Sequence, residues 1–428
     1  MKNLTIILLS LFLYACGTYE EVPLEEETEE SLAREEADRA AQEERYAPSS
    51  PGVPPAGGQA APSGSVATYQ EYGVEENPVT GAGNKGATCL AGGCTKPEGS
   101  VFSFSSTTNV FSGCAVTDSR AFAMDDGFMF IFTASCSSSP VQLWALKTTR
   151  TGVSGGEPVL LSKDCKARGL PVAAFSSAQS DAMFMSAYIC GLRNYYGTRY
   201  HSIVKSDLAG GFLEEYVDKT ADYMSRSDYY LSLSWNKESE NWALFSGSTL
   251  QFYYRDGTPK GGEDTIYSGT KDLRVFDGTW HLITAKRYCS RFSSTGTRLC
   301  NDKSVSGDHL LSKNRSFSAN WGEFKVYSFS SGVCGDTYLG STNQVPGRKI
   351  AAVYQGKMWD KRYGLILYKN YPGSLALATL DTIKVELSSN ATVLRAIKGK
   401  PDLMFSGGKV FVSAATARGI KLVMGEQE

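Results

Sequence analysis

Three features of the sequence predict an all-β body over residues 87–428. That stretch carries almost no 3.6-residue periodicity; short apolar or alternating runs rich in Phe, Tyr, Val and Ile are separated instead by Gly, Asp, Asn and Ser. Apolar runs are joined at Asp126-Gly127, Asp277-Gly278 and Gly407-Gly408, dipeptides suited to tight hairpin turns that need positive φ. A unit of strand, tight turn, strand and third strand also recurs, in six copies spaced by ~40 to 80 residues. Regular grouping of this kind matches the blades of a β-propeller better than a sandwich. Six blades are predicted, with five or seven as the alternatives.

The chain opens with one positive charge, Lys2, and an uncharged, mainly apolar run over 4–14. That run has the length of a signal-peptide core and falls short of the ~20 residues that a membrane-spanning helix needs. It ends in Leu13-Tyr14-Ala15-Cys16 followed by Gly17. This quartet resembles the lipobox of bacterial lipoproteins, with an aliphatic residue three before the cysteine and a small one just before it. The resemblance implies a signal peptide over 1–15, cleavage before Cys16, diacylglycerol on its thiol and an acyl chain on its freed amine. Cys16 would then tie the protein to a lipid bilayer. By the family's rule, Gly17 rather than Asp permits export to the outer membrane, facing the periplasm or the cell surface. The competing reading is a cleavable secretory signal with an incidental cysteine.

Residues 16–86 read as a tether. Between Gly17 and Arg45 stand twelve acidic and three basic residues, a net of −9, with Glu30–Arg34 and Glu35–Arg39 in the favourable i, i+4 order of a solvated helix. From 48 to 65 the composition turns to Pro, Gly, Ala and Ser. Such a stretch cannot bury enough apolar surface to offset its ordering entropy, so an extended spacer is predicted.

The whole chain of 428 residues has a formal net charge of −2. Removing Lys2 and the acidic segment leaves +6 for residues 46–428 (−2 + 9 − 1). So mild an excess argues against nucleic acid as a partner, since phosphate binding needs basic residues concentrated on a face. No cofactor is expected.

Ten cysteines in an exported chain point to disulfides. With Cys16 lipidated, nine remain, an odd number that leaves at least one thiol over. Cys289 and Cys300 flank a Ser/Thr/Gly-rich loop and form the first candidate bridge. Cys89 and Cys94 form the next, although Cys94 could equally reach Cys114. Cys89-x4-Cys94 also fits half a zinc site, but no second pair or nearby histidine completes it, so no metal is predicted.

The six copies run as follows. The first comprises 121–124, a turn at 125–127, 128–133 and 141–147; the second, 172–175, 182–188 and 201–205. The third comprises 231–235, 242–245 and 250–255; the fourth, 273–276, 280–285 and, after a long insertion, 323–329. The fifth comprises 350–354, 363–368 and 375–380; the last, 402–405, 410–414 and 420–424. In a propeller each sheet is covered on both faces, which accounts for the continuous apolar run Phe128-Met129-Phe130-Ile131-Phe132. Closing the ring requires a strand from one end of the chain to complete the blade at the other. Val101-Phe102-Ser103-Phe104, an orphan before the first copy, is the candidate for that strand. The insertion over 286–315 holds seven basic and two acidic residues and reads as a solvated outlying loop stapled by Cys289 and Cys300.

Three histidines, His201, His281 and His309, limit base-assisted nucleophilic chemistry. Gly152-Val153-Ser154-Gly155-Gly156 fits G-x-S-x-G, but no histidine precedes it and a strand rather than a helix follows. A loop between blades is the better account. The hairpins at 125–133, 276–284 and 401–412 resemble those of five-bladed glycoside hydrolases of the arabinanase and invertase type. In that family an aspartate opening an inner strand reaches the central funnel as base or nucleophile. The resemblance makes Asp272 and Asp402 the candidate catalytic carboxylates, with Asp118 less well aligned. The competing reading is that each aspartate opens its strand by bonding local backbone.

The expected protein is therefore a membrane-anchored cell-envelope lipoprotein. Its β-propeller would bind a glycan, a peptide or an envelope protein without catalysis. A carbohydrate-active hydrolase using Asp272 and Asp402 is the alternative.

Overall fold

The computed structural model describes residues 102–427, apart from 125, 137–140, 163–173, 179–182, 194–198, 219–230, 247–248, 266–269, 285, 321, 330–333, 344, 346–349, 361, 372 and 407–408. Cys16, Cys89 and Cys94, with the signal peptide and the tether, lie outside the described residues.

Twenty-eight strands and seven four-stranded antiparallel sheets are described. Strand β1 (Phe102–Ser112) precedes the first blade, which holds β2 (Ala115–Met124), β3 (Gly127–Ser135), β4 (Gln142–Thr149) and β5 (Val159–Leu160). The second holds β6 (Ala174–Ala178), β7 (Met183–Arg193), β8 (Arg199–Asp207) and β9 (Phe212–Asp218). The third holds β10 (Leu231–Asn236), β11 (Asn241–Ser246), β12 (Thr249–Tyr253) and β13 (Pro259–Thr265). The fourth holds β14 (Thr270–Phe276), β15 (Thr279–Thr284), β16 (Tyr288–Phe292) and β17 (Arg298–Ser304). The fifth holds β18 (His309–Ser312), β19 (Arg315–Asn320), β20 (Glu323–Phe329) and β21 (Asp336–Ser341). The sixth holds β22 (Ile350–Met358), β23 (Tyr363–Asn370), β24 (Leu375–Asp381) and β25 (Glu386–Leu394). The seventh holds β26 (Ile397–Ser406), β27 (Lys409–Thr416) and β28 (Gly419–Gln427), with β1 as its outermost strand.

The first strands of the blades neighbour one another in the cyclic order β2, β6, β10, β14, β18, β22, β26 and back to β2. This is a closed seven-bladed β-propeller, one blade more than the six copies predicted. The missing blade lies inside the supposed insertion. Residues 286–315 supply β16 and β17 of the fourth blade and β18 of the fifth, so the fourth copy had joined two strands of one blade to the third strand of the next. The stretch is structured rather than an outlying loop; Arg291, at 3% exposure, is buried within it. The Gly152–Gly156 loop joins β4 to β5 within the first blade, not one blade to the next, and its Ser154 hydroxyl is bonded to the Gly156 carbonyl.

Seven apolar clusters form the core, one at each interface between blades. Phe128, Phe130 and Phe132 pack with Met404 and Phe411 of the seventh blade, while Met129 and Ile131 pack with Phe184 and Tyr188 of the second. Alternate side chains of one strand thus serve opposite interfaces, as the pleat requires. The same division holds in β23, where Leu365 and Leu367 face the seventh blade and Ile366 and Tyr368 face the fifth. A phenylalanine buried this way contributes roughly 1.5–3 kcal/mol, so an unbroken apolar strand is what a two-sided sheet demands.

The closing strand lies where the orphan run placed it. β1 pairs antiparallel with β28, from Phe102 opposite Gln427 to Ser112 opposite Gly419. Just past it, a Cys114–Cys136 disulfide ties the entry to β2 to the end of β3. Asp277 and Gly278 both have positive φ, 47° and 67°, as their turn predicts. Gly127 does not; it is required because a Cβ there would lie 1.8 Å from the Thr148 carbonyl oxygen.

The second bridge differs from the predicted Cys289–Cys300 pairing. Cys300 is bonded to Cys334, and the Cys289 sulfur lies 3.1 Å from that of Cys334. Bulges between β16 and β17 set Arg291, not Cys289, opposite Cys300. The staple consequently joins the fourth blade to the fifth instead of closing a loop on itself.

Candidate functional site

The first strand of each blade has one edge toward the central axis, and ionisable side chains on four of these strands converge there. They are Asp118 and Arg120 on β2, Asp272 and Arg274 on β14, Lys357 on β22, and Lys400 and Asp402 on β26. Asp272 and Asp402 hold equivalent places, each four residues before the end of its strand at Phe276 or Ser406.

Each of these two carboxylates reaches the inner strand of the next blade. Asp402 Oδ2 accepts the Ala121 backbone N–H at 2.9 Å, and its Oδ1 lies 3.5 Å from Arg120 Nη1. Asp272 Oδ2 accepts the Leu310 N–H at 2.9 Å, while its Oδ1 accepts Arg274 Nε at 3.0 Å. Gln355 repeats the device between the sixth and seventh blades, its Oε1 accepting the Leu403 N–H at 2.9 Å. Lys357 Nζ takes the Leu403 carbonyl at 2.8 Å. An inner strand's axial edge has no further strand to pair with, so its backbone groups need side-chain partners. These residues supply them.

Two features draw the cluster inward. Between β26 and β27 the register slips at Lys398/Asp402, so 399–401 bulge. Gly399 there has φ 65°, and a Cβ would lie 2.5 Å from Asp118 Oδ1. The bulge lets Asp118 Oδ1 accept the Lys400 N–H at 3.1 Å, and Arg120 Nη1 reach the Lys400 carbonyl at 3.2 Å. On the other side, Arg274 Nη1 reaches past the short β18 to the Gly356 carbonyl of the sixth blade, at 2.6 Å.

The electrostatics follow from this crowding. Burial pushes the Asp118 and Asp402 carboxyls up, with Arg120 pulling both the other way. Burial, with repulsion from Arg120, draws the Lys400 ammonium down to about 8, although Asp118, Asp272 and Asp402 all oppose the shift. Asp272 and Asp402 therefore act on one and the same lysine. Their oxygens are nevertheless occupied by backbone N–H groups and guanidinium N–H groups. As placed, each carboxylate bridges its own blade to the next.

No family model matches the chain, and no curated protein matches it. Among solved structures it is similar to the WD40 β-propeller domain of Doa1, at 13% identity over 76% of this chain and 97% of that one, with a TM-score of 0.48. BamB from Moraxella catarrhalis is similar at 13% identity, covering 76% of this chain and 100% of its own, with a TM-score of 0.43. The computationally designed Ika8 protein is similar at 14% identity, 73% and 98% coverage and a TM-score of 0.41. The assignment of the fold rests on the strand pairing itself.

Sequence reasoning missed Asp308. It stands four residues before the end of β18 at Ser312, the offset shared by Asp272 and Asp402, and it became recognisable only with the fifth blade. Lys271 Nζ lies 2.5 Å from its Oδ2 and His309 Nδ1 2.8 Å from its Oδ1. Burial raises this carboxyl, but the bonds to His309 and Lys271 outweigh burial and hold it down at about 2. His309 is itself buried and stacked on Phe317, at 5.4 Å between ring centres. The trio is a further blade latch. Among the described residues no cluster of His, Cys, Asp and Glu has the geometry to hold a metal ion.

The opposite kind of surface lies at the rim. In a four-stranded antiparallel sheet, the turn between first and second strands and the turn between third and fourth lie at the same end. On or beside the latter turn stand Val153, Leu213, Tyr254 and Leu299, in the first four blades consecutively, at 59%, 53%, 49% and 54% exposure. Ile383, at 68%, repeats the placement in the sixth blade. A cleft of about 320 Å³ opens beside Val153, lined by Asp126, Lys147, Thr149, Glu157 and Ala209.

Proposed function

We propose that the propeller is a non-catalytic binding module whose partner is another protein of the cell envelope, docked on the rim carrying Val153, Leu213, Tyr254 and Leu299. The observation that carries this reading is the recurrence of a large exposed apolar side chain at the same turn of four consecutive blades. Isolated exposed apolar groups are ordinary on any surface. An arc of them at one structural position is a repeated feature, and propeller loops at one end of the molecule are a usual place for a ligand. The hydrolase alternative is weakened by Asp272 and Asp402, whose acceptors are committed to Leu310, Arg274, Ala121 and Arg120.

The address proposed for this module is the outer membrane, through lipid on Cys16 and the acidic and Pro-rich spacer of 16–86. The support is the lipobox resemblance of Leu13-Tyr14-Ala15-Cys16. Labelling cells with a palmitate analogue tests it: the protein takes up label and Cys16→Ser does not, whereas label that persists in the variant refutes the anchor.

Docking is tested by a photo-crosslinking residue placed at Leu213 or Leu299 in living cells. Tyr288 and Tyr371 serve as exposed controls at the other end of the sheets, at 41% and 71% exposure. One discrete crosslinked protein from the rim positions and none from the controls is expected. Equal crosslinking from both ends overturns the assignment. Release of sugar from envelope glycans that Asp272→Asn abolishes would restore the hydrolase.

A further inference from the structure

A second chemistry-bearing cluster lies between the fourth and fifth blades and takes no part in the binding reading. Cys289 and Cys334 are buried at 1% and 0% exposure, packed with Phe276, Ile283, Val305, Leu310 and Phe329; Cys300 sits at the edge of this group, half-buried on the outermost strand β17. The bridge runs from Cys300 to Cys334, yet the Cys289 sulfur lies 3.1 Å from Cys334, within the range of reacting atoms about to bond.

Beside Cys289 is an unusual cation. Arg291, two residues on and hence on the same face of β16, is 3% exposed, lies over the Phe329 ring at 5.2 Å and hydrogen-bonds the Cys289 sulfur. Its Nε and Nη2 have no hydrogen-bond partner, and no carboxylate pairs with it, among the described residues. A buried guanidinium without an anion is costly. A thiolate on Cys289 is the counter-charge this position offers, and a neighbouring cation favours the thiolate, the form of cysteine that attacks disulfides.

We propose that Cys289, Cys300 and Cys334 form a thiol–disulfide exchange centre that moves one thiol between a buried seat at Cys289 and an accessible one at Cys300. The Cys289 thiolate pair attacks Cys334 Sγ. The Cys289–Cys334 bond forms as the Cys300–Cys334 bond breaks, and the leaving pair departs on Cys300 Sγ, which takes up the proton that Cys289 gave to solvent. One disulfide replaces another, so no oxidant or reductant is consumed. The strand that carries Cys300 faces solvent along its outer edge, so the displaced thiol is open to soluble electrophiles and to small disulfides. The inference is independent of the docking rim and of the lipid anchor.

The test uses the purified full-length chain, treated with N-ethylmaleimide while native, then acid-quenched, digested without reduction and mapped by mass spectrometry. Native labelling at Cys300 together with a Cys289–Cys334 bridge in the same molecules is expected, and Cys289→Ser reduces labelling at Cys300 at least tenfold. Arg291→Met slows it with circular dichroism unchanged. Cys300→Ser, a second arm should Cys289→Ser not fold, yields a Cys289–Cys334 bridge. A Cys300–Cys334 bridge alone, with Cys289 labelled only after unfolding, overturns the proposal, as does labelling of Cys300 that Cys289→Ser leaves untouched.

Discussion

The Asp402 carboxylate and the Ala121 backbone N–H meet at 2.9 Å although 281 positions separate them in the chain. The bond stands at the seam where the seventh blade meets the first, beside the β1–β28 pairing that closes the ring. Removing the carboxylate leaves a half-buried N–H without its acceptor. Asp402→Ala is expected to lower unfolding free energy by about 1–3 kcal/mol, and Asp402→Asn, which keeps an acceptor oxygen, by less. Urea denaturation followed by tryptophan fluorescence measures both.

His281 provides an acid-sensitive element. Burial, with Arg291 and Lys313 nearby, lowers its imidazole to about 3 from an ordinary 6.5, so the folded protein keeps it neutral where the unfolded chain protonates it. The unfolded state then binds more protons as pH falls from 6.5 to 3, and stability drops by up to roughly 1.4 kcal/mol per pH unit from this group. His281→Leu is expected to flatten the urea midpoint against pH between 6.5 and 4.

Asp308 acts lower on the scale. With its carboxyl held at about 2 against an ordinary 3.8, it contributes stability that is present above pH 3.8 and lost as pH falls through 2. Asp308→Asn is expected to remove that contribution, on the order of 2 kcal/mol at neutral pH, and to leave the His281 window between pH 6.5 and 4 unchanged.

Gly356 has no room for a side chain. A Cβ would stand 2.4 Å from Phe317 Cε1 and 2.8 Å from its Cζ, and Phe317 is fully buried between His309 and Phe324. Gly356→Ala is therefore expected to cost about 1–3 kcal/mol through overpacking, seen as a lower melting temperature, while Gly156→Ala, in open space, costs little.

What could be read from the sequence followed from which pleat faces were apolar. The run Phe128-Met129-Phe130-Ile131-Phe132 announced a sheet covered on both sides, and its residues divide between two interfaces as that pattern implies. Phe102 and Phe104 marked the closing strand, but its continuation through Thr107, Thr108 and Asn109 is polar because the outermost strand leaves an edge to solvent. The fifth blade was hidden for the converse reason: its inner strand is only His309-Leu310-Leu311-Ser312, set among basic residues that resemble a solvated loop. Asp272 and Asp402 stood out as equivalent positions, yet whether an aspartate faces a substrate or a neighbour's N–H depends on bulges such as that at 399–401. The cysteine pairing turned on the same kind of slip, between β16 and β17.

The pairing of β1 with β28 also bears on how the protein is made. Among the described strands β1 pairs only with β28, so a copy interrupted short of β28 leaves the seventh blade with β26 and β27 against β2 and no outer half. A chain ending at Arg418 is expected to lose cooperative unfolding and near-ultraviolet circular dichroism. Loss of one strand near the C-terminus thereby costs the blade two, β28 itself and the N-terminal strand that pairs with it.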